Sequence, residues 1–95
     1  MKKISYFNRS KEEGGFILVS YAKLDLEVGE ISIVEFVNDH IGVTNNLREF
    51  LYRREMNKEL FNEKQKSFKA KKEKWESISE ETYELQYNRF LNINR

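Results

Sequence analysis

Thr44 to Glu76 runs for a third of the chain without a glycine or a proline. It holds ten Lys or Arg and six Asp or Glu, so it nets +4 in a protein of net charge +1. Phe61, Phe68 and Trp75 recur along it at heptad spacing. The absence of both helix breakers predicts a single charged helix over 44–76, capped by Thr44 or Asn45. At ~1.5 Å per residue that helix is about 50 Å long. A compact chain of this size has a radius of gyration of only about 13 Å. Such a helix must project from the body, break, or be covered.

Sequence to either side suggests the rest. Phe16-Ile17-Leu18-Val19-Ser20-Tyr21 is β-branched and aromatic and reads as the strongest strand, with Ile4-Ser5-Tyr6-Phe7 a shorter one. Ser10–Gly15 and Glu27–Glu30 carry glycines and charges and read as turns. Residues 31–41 satisfy two templates. Ile31–Val37 is β-branched enough for a third strand. Ser32 with Glu35 forms a capping box, Ile33, Val37 and Ile41 lie four apart, and Gly42 sits where a helix C′ glycine belongs. A helix over 33–41 is favoured, with the strand left open. Ser77-Ile78-Ser79 breaks the long helix, and Glu80 and Glu81 open a last one to about residue 92, whose apolar face is Tyr83, Tyr87, Phe90 and Leu91.

The expected fold is therefore α+β in one small domain. Residues 1–43 form a small antiparallel sheet of two or three strands and a short helix. Residues 44–95 form a helical hairpin, in which the last helix covers the Phe61/Phe68/Trp75 seam: Trp75 against Tyr83, Phe68 against Phe90. Burying each aromatic contributes roughly 1.5–3 kcal/mol, too much to forgo in a small domain. The same seam is the expected route to a homodimer, should the hairpin not close.

Composition narrows the function classes. With no Cys there is neither a disulfide framework nor a thiolate metal site. No apolar run approaches the ~18 residues that span a bilayer, and Met1–Tyr6 lacks the apolar core of a signal peptide. A cytoplasmic protein without metal, cofactor or membrane partner is expected. Abundant Lys, Asn, Ile and Glu match AT-rich coding, as in a low-GC bacterium or its phage. His40 is the single histidine, and no nucleophile, base and orienter occur together, so an enzyme is not expected.

Two binding surfaces are candidates. Lys64–Lys74 holds six Lys and one Glu. At 100° per residue these lysines encircle a helix, and Lys66, Lys69 and Lys74 lie opposite the seam. They are the expected contact of a small regulatory or inhibitor protein, of the kind phages and mobile elements encode, with another protein or nucleoprotein. The alternative is DNA. Residues 32–54 resemble a helix-turn-helix, with Val37, Ile41, Val43 and Leu51 at its apolar positions and Gly42 in its turn. The resemblance implies a reading helix that presents Asn45, Asn46, Arg48 and Arg53. Asn38 and Arg48 depart from the pattern, which wants a small residue and an apolar one there.

Overall fold

The computed structural model describes residues 3–94. Four long strands run as an antiparallel meander: β1 (Ile4–Glu13), β2 (Phe16–Asp25), β3 (Glu30–Asn38) and β4 (Thr44–Arg53). Then come α1 (Lys58–Ser67), a 3-10 turn at Lys71–Glu73, the two-residue β5 (Glu76–Ser77) and α2 (Glu80–Ile93). The sheet order is β4-β3-β2-β1-β5, so β5 closes on the outer side of β1. Gly14 and Gly15 make the β1–β2 turn, both at positive φ.

The continuous helix over 44–76 is overturned. Its first ten residues are β4, and only Lys58–Ser67 of the remainder is α-helical. Thr44 is not a helix cap; its hydroxyl donates to Asn38 Oδ1 at 2.9 Å across the β3–β4 hairpin. The reason lies in β3. The favoured helix over 33–41 is also overturned: residues 30–38 are a strand buried on both faces. Ile31, Ile33 and Val37 point to one side, and Val34 and Phe36 to the other. A strand buried on both faces cannot leave its backbone unpaired, because there is no water to satisfy it. β2 serves one edge and β4 the other, in register from Glu30↔Arg53 to Val37↔Asn46, with a bulge before Asn38↔Thr44.

The helical hairpin is overturned as well. The two helices pack on opposite faces of the sheet. On one face, Phe61 and Phe68 join Ala22, Leu24, Ile31 and Ile33, with Phe7, Tyr52 and Trp75 at the margin. On the other, Phe90 joins Val34 and Phe36, with Tyr21, Leu47 and Tyr87 around them. Phe68 stacks on Phe7 (4.6 Å between centroids), not on Phe90, and Tyr83 meets Tyr6 (5.2 Å), not Trp75. Phe90 meets Phe36 edge-on at 6.1 Å. Between the layers the chain rounds the β1 edge: β5 pairs Ser77 with Phe7, and the Ile78 N–H donates to the Tyr6 carbonyl at 3.0 Å. The result measures 39 × 28 × 25 Å, too short for a 50 Å helix.

Two local readings agree with the structure. β2 is where the β-branched run lies. α2 begins at Glu80 behind Ser79, whose hydroxyl accepts from the Thr82 N–H at 3.1 Å, with Glu80 and Glu81 in the first turn.

Candidate partner-binding surfaces

The segment that follows α1 is a tethered, basic turn. The Lys69 N–H donates to the Lys66 carbonyl (3.1 Å), Glu73 to Ala70 (3.0 Å) and Lys74 to Lys71 (3.2 Å), so the chain coils in 3-10 turns and not as a continued α-helix. Lys74 closes the coil at φ 58°, a left-handed conformation unusual for a lysine. Both ends are pinned to the sheet. Phe68 lies flat on Phe7, and Trp75 meets Phe68 edge-on at 4.9 Å. Arg9 of β1 stacks over Trp75 (4.4 Å) and donates to Glu73 Oε2 (2.9 Å). One guanidinium thus holds an aromatic and an acid of the turn at once.

This arrangement turns the lysines outward. Lys66, Lys69, Lys71, Lys72 and Lys74 are exposed, and none of them has an acidic group within 4.0 Å among the described residues. Lys66 and Lys69 border a groove of about 250 Å³ with Asn62 and Gln65. Lys64 differs. It is half-buried with its ammonium 5.7 Å from the Tyr52 ring centroid, and its pKa is lowered by burial first and by Arg9 second. The expected ring of lysines around a straight helix is therefore a display on a turn.

The helix-turn-helix is overturned, since 32–38 and 44–53 are paired strands. The residues it would have aimed at bases are engaged within the sheet. Arg48 lies 3.7 Å from Glu35 Oε1, and Arg53 Nε is 3.1 Å from Glu30 Oε2. Asn46 Oδ1 accepts from the Leu47 N–H (2.8 Å). Asn45 lies near Asp39, whose carboxyl is held low chiefly by the Val43 backbone N–H, 3.1 Å from its Oδ1. The seam is no dimer surface either, because Phe61 and Phe68 are buried in the protein's own core.

A polar cluster underlies the α1 face. Glu35 is 8% exposed, accepts from Ser20 Oγ (3.0 Å) and is approached by Arg48. Ser20 is buried with it, while His40 is exposed on the β3–β4 turn. Ser20 therefore has no imidazole beside it, and the trio ties β2, β3 and β4 together. Among the described residues no group of three His, Cys, Asp or Glu is placed to hold a metal, and no helix is long and apolar enough to cross a membrane.

The sequence reading did not single out the outer edge of β4. That strand ends the sheet, and Phe50, Leu51 and, just beyond it, Met56 are exposed beside it. Leu51, Arg53, Met56 and Asn57 line a groove of about 310 Å³. The available signal is the alternation Leu47-Glu49-Leu51 against Phe50-Tyr52, which marks a strand with two unlike faces. Comparisons with protein-family models, with curated proteins and with solved structures find no match for this chain.

Proposed function

We propose that this protein is a non-enzymatic regulator that works by binding an acidic surface of another protein through its turn at 64–74. One observation carries the reading: five exposed lysines without acidic partners, Lys66 at the end of α1 and four on the turn behind it, are displayed where Arg9, Phe7 and Trp75 hold the chain against the sheet. A pre-ordered display loses less conformational entropy on binding than a mobile tail. Exposed lysine pairs add little affinity individually but raise association rate and orient the encounter.

A protein partner is favoured over nucleic acid by what borders the patch. Glu63, Glu73 and Glu76 lie within or beside it along the chain. A duplex carries a charge about every 1.7 Å of its axis and would meet these acids along with the lysines. A compact patch of carboxylates would not. The test is affinity capture from cells with the wild-type chain and with Lys66→Glu/Lys69→Glu/Lys74→Glu. A single acidic partner held by the first and released by the second supports the reading. Equal capture by both refutes it, as does tight, salt-sensitive retention of DNA.

A further inference from the structure

We propose that the open edge of β4 is the interface of a symmetric homodimer. In it two copies pair antiparallel through residues 49–53, with Leu51 facing its own symmetry mate. This interface is separate from the lysine turn and does not depend on its role.

The first observation is backbone that has no partner. The Arg54 N–H donates to the Gly29 carbonyl at 2.9 Å, towards β3. In an antiparallel ladder alternate residues bond the same neighbour, so Arg48, Phe50 and Tyr52 also bond inward. Leu47, Glu49 and Leu51 then turn their backbone groups to the open side. There the Leu47 N–H is met by its neighbour's side chain, Asn46 Oδ1. At the other end the Arg53 carbonyl accepts from the Asn57 N–H at 2.9 Å, and among the described residues the backbone groups of Glu49 and Leu51 have no partner on that side.

Natural proteins blunt such edges with proline, inward lysines, bulges or short strands. β4 is ten residues long and has no Pro and no Lys, and its bulge lies at the far end, opposite Val37/Asn38. It is flanked by apolar surface instead: Leu51 is 50% exposed and Met56 77%.

The second observation identifies the occupant. A twofold axis normal to the sheet pairs like faces of the two copies. Centred on Leu51, it sets Leu51 against Leu51, Phe50 against Tyr52 in both directions, and Glu49 against Arg53 in both directions. Each of those is a favourable cross-strand pair. Glu49 has no cation within 4.0 Å among the described residues, so the pairing gives it one; Arg53, which already meets Glu30, would bridge two acids. The neighbouring registers lack this match. Centring on Glu49 or Arg48 sets like charges face to face, and centring on Phe50 sets Glu49 against Leu51 and Arg53 against Leu47. From 49 to 53 β4 is thus complementary to itself in charge and apolarity at this register, as expected of strand addition by a second copy; just outside that span Arg48 falls opposite Arg54. Joining the edges makes one ten-stranded sheet.

Sedimentation or light scattering on the full chain tests this. The wild type should show twice the monomer mass. Leu51→Lys should halve it, with the circular dichroism spectrum kept. Glu49→Arg and Arg53→Glu should each be monomeric alone. Mixed one to one they should recover the doubled mass, because both cross-strand pairs are then opposite in charge. The inference is overturned by a wild type of monomer mass at high micromolar concentration, which would leave the edge for an unlike chain. A dimer that survives Leu51→Lys, or charge variants that do not rescue one another, also overturns it.

Discussion

Individual residues carry unusual backbone or titration demands. Lys74 holds φ 58° where glycine is at ease, a conformation that costs an L-residue roughly 1–2 kcal/mol. Lys74→Gly removes that strain while adding freedom to the unfolded chain. A net gain of about 0.5 kcal/mol is expected, read as a higher urea midpoint. Gly29 is the opposite case. Its φ is +66°, and an added Cβ would lie 3.2 Å from Arg54 Cβ. Gly29→Ala should cost about 1–2 kcal/mol by the same measurement. Tyr83 is buried against Tyr6 and Tyr87, and its pKa is raised well above the ordinary phenol value of 10.0, chiefly by burial. Because the folded value is the higher one, its contribution is complete below about pH 10 and is lost as pH rises beyond it. Tyr83→Phe should therefore flatten the alkaline fall in stability above pH 10. Tyr6 and Tyr52, also raised by burial, would leave part of that fall in place.

At the scale of elements, α2 and β4 show what sequence can and cannot specify. α2 was legible because its signals are local. Ser79 caps, Glu80 and Glu81 suit the helix dipole, and Tyr83, Tyr87 and Phe90 share a face. Ser79→Ala should cost about 1 kcal/mol in thermal or urea unfolding. β4 was misread because Leu47, Phe50 and Leu51 satisfy helical spacing while Leu47-Glu49-Leu51 and Phe50-Tyr52 satisfy strand alternation. Propensity is a weak prior, and here the unpaired edge of β3 decided between the two periods. Composition marks 64–74 as lysine-rich, but reads it as part of a straight helix. Its shape was not legible, because it depends on Phe7 and Arg9, some sixty residues away in sequence.

For the whole molecule, the decisive fact is that the sheet has a layer on each face. Phe61 and Phe90 anchor those layers and share no packing neighbour. Phe61→Leu and Phe90→Leu should each cost about 1 kcal/mol, and the double variant should cost their sum within about 0.5 kcal/mol. A helical hairpin would instead have placed both residues along one interface and made their effects interact. What the sequence determined by itself is whatever a few neighbouring residues decide. This includes the strand from Phe16, the capped helix from Glu80 and, of the turn read at Ser10–Gly15, the two glycines alone, since Ser10–Glu13 belong to β1. The tertiary structure alone decided whether 33–41 and 44–53 extend or coil, and which aromatic meets which. Those segments carry both periodicities, so local propensity leaves the alternatives close in free energy. The balance is set by backbone hydrogen bonds between strands and by apolar burial on two faces, both of which require the whole chain to be in place.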